Sequence, residues 1–221
     1  MAYVDFIMKL HSSTKRDYVA RVVENDKADC SEVAILYGED YWDGNRKYGY
    51  GGYRYDGRQN ATAKAMAEHY GIKAGDKILD VGCGKGYLLH EFTQVVPGVE
   101  VTGIDISDYA IDNSKEEVKP FLQSGNAVSL PFEDNTFDFV VSITTLHNLY
   151  NYELQKAVQE IERVGNGSKK HIIIESYRNE REKANLLYWQ LTCRSFYTPQ
   201  EWEWFMEESG YTGDYSYIVF E

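Results

Sequence analysis

The sequence predicts an α/β protein, an open and mostly parallel sheet with helices on both faces, and three observations predict it. Short apolar runs at residues 78–81, 99–106, 121–123, 137–143, 170–177 and 215–220 read as strands. Between them lie stretches with helical spacing, such as Tyr87, Leu88, Phe92 and Val95, which is the alternation of a parallel sheet. The first run also feeds a turn with Gly at every second position, Gly82-Cys83-Gly84-Lys85-Gly86, that opens the next helix. A strand, a Gly turn and a helix in that order form the ligand-binding edge of a Rossmann-like sheet.

The chain has 221 residues, 43% of them hydrophobic, enough for one α/β domain with a sizeable core. Lys and Arg number 23 against 35 Asp and Glu, a net charge of −12, and there is no basic run. That balance argues against a nucleic-acid partner, whose phosphates demand concentrated positive charge. Three widely spaced cysteines (Cys30, Cys83 and Cys193) suggest neither a disulfide framework nor a zinc site, and no metal is expected. With no stretch near the roughly 20 apolar residues of a membrane span and no signal-peptide core, the expectation is a cytoplasmic protein without a membrane partner. Monomer and homodimer are both open.

Two segments are expected, an N-terminal extension over residues 1–58 and a catalytic domain over 59–221. Residues 1–36 read as helical and polar, with Val4, Ile7 and Met8, then Tyr18, Val19, Val22 and Val23, at spacings of three and four. Asp29 or Ser31 is a candidate cap for a short helix carrying Val33, Ile35 and Leu36. Residues 37–58 alternate Tyr, Gly, Asp and Arg with almost no aliphatic residue. A loop this long inside a compact domain is either functional or disordered, and its aromatic content opposes disorder. It is expected to form an ordered flap over a ligand site. Residues 61–70 follow as a helix that ends near Gly71.

At the Gly turn the details decide the ligand. A dinucleotide fingerprint is G-x-G-x-x-G, whereas this turn is G-x-G-x-G with Asp80 inside the strand before it. That carboxylate repels a pyrophosphate but suits a cofactor carrying an ammonium and a sulfonium. The segment from Lys77 to Leu89 resembles the first motif of the class I S-adenosylmethionine-dependent methyltransferases. The resemblance covers residues 60–221 and implies that family's fold and S-adenosylmethionine as cofactor. Asp105 ends the second strand about twenty positions past the turn, where an acid accepts from ribose hydroxyls, and Ile106 beside it suits the adenine. A helix is expected over residues 108–118. The family commonly has Gly-Asp-Ala and then Leu-Pro-Phe after the third strand. Here Gly125-Asn126-Ala127 precedes Leu130-Pro131-Phe132, and the Asn126 amide oxygen can still accept from the adenine amino group. Phe137-Asp138-Phe139-Val140 resembles the family's fourth-strand segment, whose end, Ile143, is expected at the cofactor. The resemblance thus implies a cofactor site of Asp80, Gly82, Cys83, Gly84, Gly86, Asp105, Ile106, Asn126, Ala127 and Ile143.

Methyl transfer from a sulfonium needs positioning, plus a base where the acceptor is a hydroxyl. His147, a few residues past the fourth strand, is the candidate base, with a helix-capping role as the alternative. Glu175 at the end of the fifth strand either orients the acceptor, holds His147, or pairs with Arg178 or Arg181. Tyr50, Tyr53, Arg54 and Arg178 are expected to bind substrate, because hydroxyls and guanidinium forks suit an oxygen-rich acceptor. Residues 188–193 read mainly as core. A helix opened by Thr198 and Pro199 ends at Gly210. The family usually closes its sheet with two strands, the last antiparallel, whereas one is plain here. The expected function is methylation of a polar small molecule, O-methylation of a sugar or related metabolite ahead of N-methylation. A nicotinamide oxidoreductase and a non-catalytic partner subunit are the competing readings.

Overall fold

The computed structural model describes residues 1–12 and 16–221. Its centre is a six-stranded sheet of β1 (Lys77–Val81), β2 (Glu100–Asp105), β3 (Leu122–Ser124), β4 (Phe139–Ile143), β5 (Lys170–Glu175) and β6 (Asp214–Ile218). The order is β3-β2-β1-β4-β5-β6, and every pair is parallel. The chain moves from β1 to β2 on one side and later returns to β4 on the other. The carboxyl ends of β1 and β4 are therefore the switch point at which such sheets bind ligands.

Both faces are covered, as a parallel sheet requires. On β1, Ile78 packs into one core with Phe92, Phe139 and Ile173, while Leu79 and Val81 pack into the other with Val140, Leu154 and Trp202. The first face carries α5 (Asn60–Tyr70) and α6 (Tyr87–Val95). The second carries α8 (Asn151–Val164) and α10 (Pro199–Glu208). α5 ends at Gly71 in the left-handed region, and Thr198 and Glu201 cap the start of α10 reciprocally.

Three short helices precede the fold, α1 (Met8–Ser12), α2 (Tyr18–Val23) and α3 (Lys27–Ala34). Asp26, rather than Asp29 or Ser31, caps α3 by accepting from the amides of Ala28 and Asp29. Tyr3 bridges Tyr215 in parallel, so the N-terminus lies along β6. β6 is the one C-terminal strand among the described residues.

Several boundaries differ from expectation, and two of the differences have a local cause. α7 spans only Asp108–Asp112, because the Lys115 amide donates to the Lys85 carbonyl (3.0 Å) and pulls the chain into turns against the Gly loop. β3 begins at Leu122, whose side chain enters the core, whereas Phe121 is left exposed in a 3-10 turn. No helix among the described residues is long and apolar enough to cross a membrane.

Candidate active site

The floor of the site is the turn after β1. Gly82, Gly84 and Gly86 have φ of 82°, 53° and 73°, a region that favours glycine. A Cβ on Gly84 would stand 2.9 Å from the Trp42 ring, and one on Gly86 would meet Leu122 at 2.8 Å. The glycines therefore serve packing as well as turning. Asp105 organises the loop, its carboxylate accepting from the amides of Gly84 (2.7 Å) and Ser107 (2.9 Å). Asp80 is buried, and its Oδ1 has no hydrogen-bond partner among the described residues. Burial, with Asp105 nearby, pushes its pKa up to about 8.

Residues 37–58 cover this floor. A single-turn helix, α4 (Glu39–Trp42), delivers Trp42 over Gly84, and its indole N–H donates to Ser107 Oγ (2.9 Å) and the Tyr37 carbonyl (3.0 Å). Asp43 accepts from Lys85 Nζ (2.6 Å) and the Tyr109 hydroxyl (2.9 Å). Tyr87 donates to the Tyr53 carbonyl (2.9 Å), and Tyr55 to Glu91 (2.7 Å).

Two chambers lie beneath the flap. The first, about 400 Å³, runs along Asp80, Gly82, Cys83, Gly84, Asp105, Ile106, Asn126, Ala127 and Ile143. The second, about 420 Å³, is lined by His147, Glu175, Arg54, Trp189 and the arginines Arg16, Arg21 and Arg46. Tyr41, Tyr50, Tyr53, Thr144, Asn148 and Thr192 belong to both. Thr144 sits at φ 53°, a strained conformation for a β-branched residue, on this shared wall.

Glu175 and His147 define the chemistry of the second chamber. Glu175 Oε1 accepts from the Gln190 amide, while Oε2 is buried with no hydrogen bond among the described residues. Burial raises the Glu175 pKa to about 8. His147 Nδ1 lies 3.3 Å from the Glu175 backbone N–H and accepts from it, so its proton sits on Nε2, 3.4 Å from Glu175 Oε2. Burial lowers the His147 pKa to about 3, in keeping with a neutral ring whose lone pair is already used.

Part of the chain is similar to known proteins. Residues 79–170 match the family described as a methyltransferase domain. The chain is 37% identical over 106 residues to the sterol 24-C-methyltransferase of Schizosaccharomyces pombe, covering 42% of this chain and 28% of that protein. It is 38% identical over 106 residues to a demethylmenaquinone methyltransferase of Staphylococcus aureus, covering 46% and 43%. The matched part thus spans less than half of either relative. A SAM-dependent methyltransferase from Aquifex aeolicus shares the fold, with a TM-score of 0.53 and 22% identity over 71% of this chain and 83% of that one. In this domain match and in its fold the chain is similar to the class I S-adenosylmethionine-dependent methyltransferase superfamily.

S-adenosylmethionine is the cofactor of this methyltransferase superfamily, and the first chamber fits it. The unpartnered Oδ1 of Asp80 suits the ammonium, Asp105 keeps lone pairs for hydroxyls, and Ile106, 59% exposed, offers an apolar face. Asn126 lines the same wall, although its Oδ1 also accepts from the Val128 amide (3.0 Å).

Of the residues expected at the methyltransferase site, Gly86 and Arg178 lie elsewhere. Gly86 packs on Val118 and Leu122 behind the loop. Arg178 is held by Glu182 (2.5 Å) and Glu221 (2.6 Å) on the outer surface, so it corrects the expectation of a substrate contact. Sequence reading missed Trp42, Arg16, Arg21, Arg46 and the role of Trp189. Trp42 had a signal, as a lone indole in a segment otherwise aromatic through tyrosine. The arginines had none, because Arg21 meets Trp189 across 168 positions of sequence.

Proposed function

We propose that this protein transfers the methyl group of S-adenosylmethionine to an oxygen of a polar small molecule, such as a sugar or related hydroxylated metabolite, bound in the second chamber. The observation that carries this reading is a shared wall between a chamber fitting the cofactor and one holding a buried carboxyl oxygen of Glu175 that takes no hydrogen bond among the described residues.

The bound cofactor supplies an electrophilic methyl on a sulfonium. Asp80 holds its ammonium, Asp105 its ribose hydroxyls, and Ile106, Asn126 and Ala127 its adenine. Gly82 and Gly84 let the backbone approach, Cys83 and Ile143 fill the adjoining wall, and Trp42 closes the floor against water. In the second chamber Tyr50, Tyr53 and Arg54 bind the acceptor. Glu175 Oε2 accepts the acceptor's hydroxyl proton. His147 is the positioning residue, since its lone pair is occupied by the Glu175 amide and its Nε2–H faces the carboxyl. The two curated relatives are named for sterol and demethylmenaquinone methylation. The arginines and tyrosines here suit a more polar acceptor.

A screen of hydroxylated acceptors with the full chain tests the reading. Glu175 must be ionised to act, so the rate should rise with pH through about 8. Glu175→Gln should lower kcat by about 10²–10⁴-fold and flatten that limb. His147→Gln should instead move the limb, since it changes what faces the carboxyl. Full activity of Glu175→Gln with an unchanged profile removes the base. Turnover of amines alone replaces O-methylation with N-methylation.

A further inference from the structure

The second chamber contains a cluster that the chemistry above does not use. Trp189, the last residue of α9 (Glu180–Trp189), has three guanidinium carbons around one ring: Arg21 at 4.8 Å from the centroid, Arg46 at 5.3 Å and Arg16 at 5.5 Å. The three come from different segments, Arg21 from α2, Arg46 from the flap and Arg16 from just before α2.

Arg21 and Arg46 are held by uncharged acceptors. Arg21 Nε donates to the Trp189 carbonyl (2.9 Å) and its Nη1 to the Arg46 carbonyl (3.1 Å). Arg46 Nη1 donates to the carbonyls of Gly49 and Tyr50, both at 2.9 Å. Among the described residues no carboxylate lies within ion-pair distance of Arg21 or Arg46, and the Nη2 of each takes no acceptor. This is unexpected in a chain whose acids outnumber its bases 35 to 23. A ring needs one guanidinium for a cation–π contact, worth about 0.5–1 kcal/mol at an exposed site, whereas three like charges around it repel. Burial and, after it, Arg46 lower the pKa of Arg21.

We infer that the second chamber binds its acceptor through an anionic group, a carboxylate or a phosphate, held by the Nη2 groups of Arg21 and Arg46 with Arg16 beside them. The inference rests on the reading of this chamber as the acceptor site and narrows the acceptor to a hydroxylated acid or phosphate ester. Guanidinium forks stacked on an indole are pre-aligned for a planar or tetrahedral oxyanion. Glu175 lines the same chamber, so the anion and the reacting hydroxyl sit at separate ends of one small molecule.

The test is a titration of the full chain with inorganic phosphate and, separately, succinate, with sodium chloride as the ionic-strength control. Arginine Nε–H and indole resonances report the binding, and neither cofactor nor turnover is required. Expected is a saturable shift at Arg21, Arg46 and Trp189 that chloride does not reproduce. Arg21→Gln and Arg46→Gln should each weaken it about ten- to a hundredfold, the loss of one charge-assisted hydrogen bond. The anion that saturates first identifies the group. No saturable shift in the wild-type chain, or an equal response to chloride, overturns the inference whether or not the variants fold. Because the readout is independent of catalysis, its failure leaves the Glu175 assignment standing, and a failed Glu175 test leaves anion binding intact.

Discussion

At Asp80 a single buried oxygen links the cofactor to a proton. The fold holds this carboxyl at about 8, so it is neutral at pH 7 before any ligand arrives. An ammonium beside Oδ1 favours the ionised form. Cofactor binding at pH 7 should therefore release close to one proton, read by calorimetry in buffers of different ionisation enthalpy. Asp80→Asn should abolish the release and weaken binding by about 1.5–3 kcal/mol. A wild-type titration with no proton release would place the ammonium elsewhere. Asp105 is a poorer probe, since its oxygens also hold the Gly84 and Ser107 amides and its removal disturbs the loop itself.

Among the elements, the flap joins both chambers to the Gly loop. Trp42 rests on Gly84, and Asp43 grips the buried Lys85 of the same turn. Trp42→Ala removes the first contact and Gly84→Ala displaces the indole, so the two variants should share a phenotype. Both should raise amide exchange across residues 37–58 and weaken cofactor binding about tenfold or more, while the sheet amides stay protected. Unchanged exchange in the flap would mean that Trp42 does not hold it. The strands and the Gly turn were legible in the sequence because apolar periodicity and the positive φ of Gly82 and Gly84 are local properties. The helix expected over 108–118 failed because a distant carbonyl, that of Lys85, captures the Lys115 amide. The place of His147 just after β4 is legible in the sequence. Its tautomer was not legible, since the Glu175 amide that fixes it comes from the next strand. The arginines around Trp189 were hidden for the same reason, as no local pattern encodes a contact between α2, the flap and α9.

For the whole molecule, buried titratable groups of two kinds set how stability follows pH. His11, His147 and His171 are held neutral, burial lowering their pKa values to about 4, 3 and 3. They contribute stability above the ordinary histidine value of about 6.5 and lose it as pH falls. Asp80 and Glu175, both raised to about 8, act in the other direction. Their contribution is complete below the unfolded carboxyl values of about 4 and is lost as pH rises through 8. Below about pH 6.5 the two sets oppose each other, and above it only the carboxyls still act. Urea unfolding should therefore show a shallow optimum near pH 6–7 and a decline of about 1–3 kcal/mol on going to pH 8.5. Asp80→Asn and Glu175→Gln should each remove about half of that decline, because neither amide titrates. Saturating S-adenosylmethionine should remove the Asp80 share alone, since the bound ammonium keeps that carboxylate ionised across the range. A stability that rises from pH 6.5 to 8.5, or a decline that the two substitutions and the cofactor leave unchanged, would show that these carboxyls are not held neutral in the folded protein.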